Sequence, residues 1–240
     1  MTEPLLKVDN VSKRFGGVQA VGGVSLELAP AEIIGIIGPN GAGKTSFFNL
    51  ISGMFFTDTG SVTFDGVDIT RQNSVKRARN GIGRTFQVVK PFTGMSVAEN
   101  VMVPLLVKSA SVATARRGAM ELLDDLGIAS LADTPSESLT LAQRKRVEVA
   151  RALATGPKLL LLDEVLAGLN SREVVDVLPF VTRVRDRGVA ILMIEHIVSA
   201  VMEVSDRMMV LDHGQQIAFG DPEEVIKDPK VVEAYLGTSE

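Results

Sequence analysis

One stretch of this sequence carries residue types that bind phosphate. It matches the pattern G-x-x-x-x-G-K-[ST], in which small residues let successive backbone N–H groups surround an anion. A helix that begins near Lys44 adds the positive end of its dipole, and Lys44 itself supplies a charge for the β- and γ-phosphates. The Thr45 hydroxyl is a candidate magnesium ligand. The stretch predicts a nucleoside triphosphate site formed by Gly38, Pro39, Asn40, Gly41, Ala42, Gly43, Lys44, Thr45 and Ser46.

The residues around this loop support the same interpretation. Ile33–Ile37 reads Ile-Ile-Gly-Ile-Ile, which is typical of a buried strand, and residues 46–49 continue as a helix. The alternative is an ordinary strand-to-helix turn that spells the pattern by coincidence. Because all four specified positions fit and the flanking elements follow in the right order, we prefer the phosphate-binding interpretation.

Polar side chains also end two other apolar strands. Leu159–Leu162 runs into Asp163 and Glu164, and the apolar residues 189–194 are followed closely by His196. Apolar strands separated by helices predict a parallel sheet that is covered on both faces. In such a sheet, ligands bind beyond the carboxyl ends of the strands. We therefore expect these polar groups to lie along one edge with the phosphate-binding loop.

These groups have different chemical uses beside a triphosphate. Asp163 is a candidate for holding magnesium through water, and Glu164 for deprotonating the attacking water, a role worth ~10²–10⁴-fold in rate. His196 is a candidate γ-phosphate contact, although lone histidines at strand ends are usually structural. Phe15 either stacks on a nucleotide base or fills the core of a hairpin. Gln87 ends a further strand, at the same predicted edge.

The N-terminal third of the chain predicts short strands. β-branched segments at 5–11, 18–21 and 24–28 indicate an antiparallel sheet ahead of the loop. Asp65-Gly66 predicts a hairpin turn. Residues 71–84 are rich in arginine and lysine, which favours a solvated helical face over a nucleic-acid patch.

The middle of the chain has a helical pattern, and strand–helix alternation resumes after it. Helices are predicted over 96–107, 113–126 and 141–154. The fold class is therefore α/β, a mostly parallel sheet core with an N-terminal antiparallel β subdomain and an inserted α-helical subdomain at about 88–155. We expect residues 1–240 to form a single domain.

The composition excludes several classes of protein. The 240 residues include 29 acidic and 25 basic ones, so the chain lacks the basic surplus of a general nucleic-acid-binding protein. It has no cysteine, which excludes disulfides, zinc fingers and thiol catalysis. A signal peptide and an apolar run of the ~20 residues that span a bilayer are both lacking, so we expect a cytosolic protein.

In this order, the motifs resemble those of the ATP-binding cassette (ABC) family over essentially the whole chain. Residues 38–45 are similar to its Walker A motif, residues 159–164 to its Walker B motif with the glutamate, and residues 167–170 to its D-loop. Gln87 is similar to its Q-loop residue and His196 to its H-loop residue. Phe15 lies where the family places its adenine-stacking aromatic.

The resemblance implies a P-loop NTPase of the RecA-like type that binds ATP and Mg²⁺ and hydrolyses ATP. The catalytic residues would be Lys44, Gln87, Glu164 and His196. The metal ligands would be Thr45, Gln87 and Asp163.

The family's signature, Leu-Ser-Gly-Gly-Gln, is altered here to Leu-Thr-Leu-Ala-Gln at residues 139–143. The resemblance implies that this segment closes over ATP bound to the opposite subunit, with contacts from Thr140, Ala142 and Gln143. Glycine gives a backbone room to approach a phosphate. We therefore expect Leu141 and Ala142 to weaken or slow closure, while Thr140 and the helix N-terminus keep closure possible.

Residues 81–87 and 219–237 narrow the resemblance to the ATPases of branched-chain amino acid importers, in particular the larger of the two ATP-binding subunits of that system. It implies a homo- or heterodimer with a second ABC ATPase, docked on two integral-membrane permeases. A periplasmic solute-binding protein would take part indirectly, and nucleic acid would not. The chain would lie peripherally on the cytoplasmic face of the inner membrane.

Other functions remain open. One is the ATPase subunit of another transport system, which would carry urea or another amide, carry other amino acids, or export lipopolysaccharide. Another is a soluble ABC ATPase that remodels DNA or ribosomes. A phosphate-loop kinase or GTPase outside the family would not need Gln87, the signature-like helix and His196 together.

Overall fold

The computed structural model describes residues 3–86 and 90–236. In these ranges the strands are β1 (Leu6–Phe15), β2 (Val18–Leu28), β3 (Ile33–Ile37), β4 (Thr59–Phe64), β5 (Val67–Asp68), β6 (Ile82–Arg84), β7 (Leu159–Asp163), β8 (Ala190–Ile194), β9 (Arg207–Asp212) and β10 (Gln215–Gly220). The helices are α1 (Lys44–Ser52), α2 (Ser74–Arg79), α3 (Val97–Leu106), α4 (Val112–Asp125), α5 (Leu141–Ala154), α6 (Ser171–Asp186), α7 (Val198–Val204), α8 (Pro222–Val225) and α9 (Pro229–Leu236).

The strands form two sheets. The N-terminal strands pair antiparallel in the order β2-β1-β4-β5, and the second sheet has the order β10-β9-β3-β8-β7-β6. Within the second sheet, β9, β3, β8, β7 and β6 run parallel and β10 returns antiparallel to β9. The predicted α/β class, with its parallel core and its antiparallel β subdomain, is confirmed.

The central strands are buried on both faces, which their uninterrupted apolar sequences require. Alternate residues enter different cores because side chains alternate across a strand. Ile33 packs in the core beneath the helices α3 to α6, whereas Ile34 and Ile36 pack with Phe47 and Phe48 beneath the antiparallel sheet. The strand β3 is thus clamped between two hydrophobic cores, and the loop that follows it starts from a fixed point.

Helices α3, α4 and α5 pack against one another between β6 and β7 in chain order, as the sequence predicts. Ser96 and Glu99 form a capping box at the start of α3. The predicted boundary of the helical subdomain, at 88, lies outside the described residues. No helix in the described part of the chain is both long and apolar enough to cross a bilayer.

The prediction of a solvated face over residues 71–84 is wrong for two of its arginines. Arg77 is 1% exposed, and its guanidinium donates hydrogen bonds to backbone carbonyls of residues 50, 51, 69, 70 and 72. These carbonyls end α1 and follow β5, so the planar fork of donors joins two segments. Arg84 lies on the strand β6, and its side chain is 9% exposed.

Two charged side chains lie buried behind the carboxyl ends of β7 and β8. Lys145, on α5, donates from Nζ to the carbonyl of Glu164 at 2.8 Å, and Glu195 accepts a hydrogen bond from the Leu166 amide at 2.7 Å. Burial raises the pKa of Glu195 to about 7, against the opposing effects of the Leu166 amide and the Lys145 charge. These contacts fix the chain that follows β7.

Glu195 should make stability depend on pH. Its pKa in the folded state lies above the ordinary value of 4.5, so the folded protein holds this proton more tightly than the unfolded chain. Its favourable contribution is therefore fully present below about pH 4.5 and is lost as the pH rises through about 7. Glu195→Gln should remove this loss, flattening the decline in unfolding free energy between about pH 5 and about pH 8 by roughly 1–3 kcal/mol.

Urea unfolding at a series of pH values measures this slope. The matched control is Glu203→Gln, which changes an exposed carboxylate on α7 and should leave the slope unchanged. Equal slopes in wild type and Glu195→Gln would show that the buried carboxylate is not the titrating group.

Candidate functional site

The phosphate-binding loop, residues 38–45, connects the end of β3 to α1. Gly38 has a φ of +151°, and a Cβ atom there would lie 2.0 Å from the carbonyl oxygen of Leu211. Gly43 has a φ of +96°, and a Cβ atom there would lie 2.2 Å from the carbonyl oxygen of Ala20. Both positions require glycine, for backbone conformation and for space. The two glycines of the motif are therefore the positions at which the loop packs closely against β9 and β2.

The Lys44 side chain folds back over its own loop. Its Nζ atom donates to the carbonyls of Gly38 and Pro39, at 2.7 and 2.9 Å. Burial lowers the pKa of the amine, and the negative charges of Glu164 and Asp163 oppose that effect. The amine is thus held at the mouth of the loop by contacts that a phosphate oxygen can replace.

Glu164 and His196 meet across the ends of β7 and β8. Nε2 of His196 lies 2.8 Å from Oε1 of Glu164, and the Glu164 amide donates to the Ile194 carbonyl at 2.9 Å. Glu164 has a φ of 52°, a left-handed conformation that costs a residue with a side chain on the order of 1–3 kcal/mol. The hydrogen bond from the Glu164 amide to the end of β8 holds this strained backbone. The histidine and the carboxylate therefore lie together at the edge of the sheet.

Asp163 forms an ion pair that the sequence analysis missed. Its Oδ2 atom accepts from Nη2 of Arg84 at 2.8 Å, and the two side chains are 3% and 9% exposed. Nη1 of Arg84 also donates to Asn49 and Ser52 on α1. The basic stretch 71–84 predicts a solvated face, whereas Arg84 follows the apolar Ile82 in a strand that pairs with β7 and is buried there.

A cavity of ≈380 Å³ lies over the phosphate-binding loop. Besides Glu164 and His196, its lining includes residues that the sequence analysis did not assign to the site: the hairpin residues 18–20 and His213. The hairpin residues are Val18, Gln19 and Ala20, and nothing in their local sequence indicates that they reach the phosphate-binding loop. The His213 side chain is 94% exposed and borders the cavity.

The structure brings most of the predicted site together. Glu164 and His196 share the cavity with Asn40, Gly41, Ala42, Gly43, Lys44, Thr45 and Ser46. Phe15 is not in the lining, but it pairs with Val18, which is, and its exposed ring lies edge-on to Phe55 at 5.2 Å between centroids. Gln87 lies outside the described residues.

The signature-like segment is not part of this cavity. Thr140 caps α5: its hydroxyl accepts from the Gln143 amide, and the Gln143 side chain accepts from the Thr140 amide. Ala142 is buried, and Leu141 is 48% exposed beside Gly168. Within one chain, these residues therefore lie apart from the phosphate-binding loop.

The donor set suits a small hard cation. Thr45 offers a hydroxyl in the cavity lining, and Asp163, which is not in the lining, offers a carboxylate next in sequence to Glu164, which is. Oxygen ligands of this kind are those that Mg²⁺ takes. Among the described residues, no group of three or more His, Cys, Asp or Glu could hold a metal. Two protein oxygens fit an ion whose remaining ligands come from phosphates and water.

Comparisons with known proteins agree with this geometry. Residues 21–167 match the model of the ABC transporter family, and residues 215–240 match that of the branched-chain amino acid ATP-binding cassette transporter. The chain is 36% identical to the branched-chain amino acid transport ATP-binding proteins BraF of Pseudomonas aeruginosa and LivG of Escherichia coli, over 99% of each chain. It is also 37% identical to the lipopolysaccharide export ATP-binding protein LptB of E. coli, over 97% of each.

Solved structures show the same fold. The ADP conformation of MJ1267, an ATP-binding cassette of an ABC transporter, superposes with a TM-score of 0.89 at 33% identity, covering 98% of this chain and all of that one. A nucleotide-free cassette gives 0.87 at 32% identity, covering 97% and 98%. Together with the loop, the carboxylates and the histidine on one sheet edge, these matches show that the chain belongs to the ABC transporter family, as one of its ATP-hydrolysing ATP-binding subunits.

Proposed function

We propose that this subunit powers the import of branched-chain amino acids. The observation that carries the substrate class is the match of residues 215–240 to the branched-chain transporter model, because this segment lies beyond the residues that match the general ABC model. The full-length similarity to BraF and LivG supports the same class. The chain's own contribution is ATP hydrolysis, and the solute is selected by other subunits.

Lipopolysaccharide export is the second candidate, because the identity to LptB is as high as that to LivG. The two functions differ in the transported molecule and in the direction of movement. The ATP site at the sheet edge would serve either function equally well. Only a measurement of the transported molecule can therefore distinguish import of amino acids from export of lipopolysaccharide.

ATP would bind in the cavity with its β- and γ-phosphates on the amides of the loop and on Lys44. The amine would exchange its contacts with Gly38 and Pro39 for phosphate oxygens. Phe15, beside the cavity, would stack on the adenine. Mg²⁺, held by Thr45 and by Asp163 through water, would supply charge neutralisation at the phosphates.

Glu164 is the proposed general base. It lies in the cavity wall with His196 2.8 Å away, so it can take a proton from a water poised to attack the γ-phosphate while His196 contacts that phosphate. Gln87 completes the proposal as a further catalytic residue and metal ligand. The Glu164 side chain is only 12% exposed and is in contact with His196. It therefore needs little reorientation before it can accept the proton.

A second ATPase chain is part of the proposal, because Thr140, Ala142 and Gln143 lie outside the cavity of their own chain. In a dimer, these residues would close over ATP on the partner, so that two nucleotides are sandwiched. The exposure of Leu141 at this segment leaves an apolar side chain where the family has glycine.

Two permease subunits are the proposed membrane partners, served by a periplasmic binding protein, with this chain on the cytoplasmic face. A groove of ≈430 Å³ between β6 and α5 is lined by Phe86, Phe92, Val103 and Arg151. A permease segment seated there would receive the motion that follows closure and reopening of the ATPase dimer.

Glu164→Gln should retain ATP binding, lose turnover by ~10²-fold or more, and accumulate as a nucleotide-bound dimer, because an amide cannot take the proton. Steady-state phosphate release and gel filtration with ATP measure both effects. Lys44→Ala is the matched contrast, since it should weaken nucleotide binding itself. Turnover within about threefold of wild type in Glu164→Gln would rule out the general-base assignment.

Replacing Leu141 and Ala142 together by glycine should raise steady-state ATPase activity about 2- to 10-fold, because the backbone could approach the partner's phosphate more closely. Glycine also weakens α5 by about 1 kcal/mol per position, so the activity is measured well below the unfolding temperature. Leu141→Ala is the control, since it shortens the side chain without adding backbone freedom. An unchanged or lower activity contradicts the proposal.

Deleting the gene should abolish high-affinity leucine uptake, and a plasmid copy of the wild type should restore it, whereas a Glu164→Gln copy should not. The measurement is accumulation of radiolabelled leucine, with lipopolysaccharide delivery to the cell surface assayed in the same strains. Normal leucine uptake together with defective lipopolysaccharide delivery would replace the import proposal with the export one.

A further inference from the structure

A buried amine joins the signature-like helix to the catalytic end of β7. Lys145 lies on α5, about one turn after the helix begins at Leu141, and it is 7% exposed. Its Nζ atom donates a hydrogen bond of 2.8 Å to the backbone carbonyl of Glu164, the proposed general base. Burial of an amine is costly unless it is paired, and an apolar side chain would fill the same space without that cost. The contact with Glu164 is therefore what the amine contributes here.

The backbone of Glu164 has a conformation that needs support. Its φ of 52° is left-handed, and a residue with a side chain keeps such a conformation only where its surroundings impose it. The Glu164 amide donates to the Ile194 carbonyl at the end of β8, and the Glu164 carbonyl accepts from Lys145. Because the amide and the carbonyl belong to different peptide groups, these two bonds restrain both backbone torsions of the residue. They thereby set the direction in which its side chain reaches His196, 2.8 Å away.

The chain that follows Glu164 is also attached to α5. Residues 165 and 166 are buried in a hydrophobic core that α5 also enters, and the Leu166 amide donates to Glu195 at 2.7 Å. Apolar packing holds this segment against the helix but does not define the angle of a peptide group. The directional bond from Lys145 extends the attachment to the catalytic residue itself.

We propose that Lys145 is a positioning residue for Glu164, which orients the general base by fixing its carbonyl to α5. The proposal rests on the proposed hydrolytic function and adds that the signature-like helix contributes to the rate at its own chain's site. In the proposed dimer, the start of α5 closes over the partner's ATP. A shift of α5 on closure would therefore reach the general base of the same chain through this hydrogen bond.

Lys145→Met tests the proposal, because it keeps a long unbranched side chain and removes the hydrogen-bond donor. The kcat for ATP hydrolysis should fall about 5- to 50-fold, since misplacement by about 1 Å can cost on the order of 10²-fold. The KM for ATP and the Kd for MgADP should stay within about twofold of wild type, because the phosphate-binding loop is unchanged. In ¹H–¹⁵N spectra, the Val165 amide, which shares its peptide group with the Glu164 carbonyl, should shift.

Arg146→Met is the matched control, since it makes the same replacement at the next position of α5. The Arg146 side chain lies beside Gly127, and its loss should leave kcat and the Val165 resonance unchanged. A second background covers the case in which Lys145→Met unfolds the protein by leaving Glu195, which is 1% exposed, as a buried negative charge. In Glu195→Gln that charge is absent, and Lys145→Met should lower kcat there by the same factor.

A merely structural lysine would give a different result. Lys145→Met would then lower the free energy of unfolding while kcat stayed within about twofold of wild type, and that outcome would overturn the proposal. An equal loss of kcat and of MgADP affinity would overturn it as well, because the whole site would then be disturbed. Wild-type turnover in Glu164→Gln would instead contradict the general base itself, and the positioning role with it.

Discussion

The phosphate-binding loop approaches neighbouring backbone so closely that a Cβ atom at Gly38 or Gly43 would lie 2.0 or 2.2 Å from a carbonyl oxygen. Those carbonyls belong to Leu211 at the end of the parallel sheet and to Ala20 in the antiparallel sheet. The loop therefore has its shape only when both sheets are in place around it. Its amides are arranged before any anion arrives, which is the condition for strong electrostatic stabilisation of phosphate.

The two carboxylates of the site, Asp163 and Glu164, are also held in place by contacts with other elements. Asp163 is held by Arg84, and Arg84 also contacts Asn49 and Ser52 on the helix that follows the loop. Glu164 is held in a left-handed conformation while its carbonyl accepts from Lys145 of α5. The loop helix, the β7 carboxylates and the signature-like helix are thus connected by charged hydrogen bonds with little exposure. Such bonds are strong when fully paired, and removal of one partner leaves a buried charge that is costly.

Sequence reasoning succeeded where a pattern is local. The strand β3, the start of α1 and the carboxylates at the end of β7 follow from the apolar run, the glycines and the chain order, and Glu164 lines the cavity together with residues 40–46 of the loop. It failed for Arg77 and Arg84, because spacing in a basic stretch says nothing about which carbonyls or carboxylates a distant segment will bring near. The hairpin residues 18–20 were missed for the same reason, since only tertiary pairing carries them to the loop.

The turn between β9 and β10 is hydrogen-bonded to segments that the ribosome synthesises much earlier. The Gly214 amide donates to the Ala42 carbonyl, and the Gly214 carbonyl accepts from Gly22. Domains fold as units while the ribosome delivers the chain from its N-terminus. Walker A is therefore synthesised early but acquires its last backbone partners only after Gly214 has left the exit tunnel. Until then, the chain carries the whole motif without the backbone contacts from Leu211 and Gly214 that fix the shape of its loop.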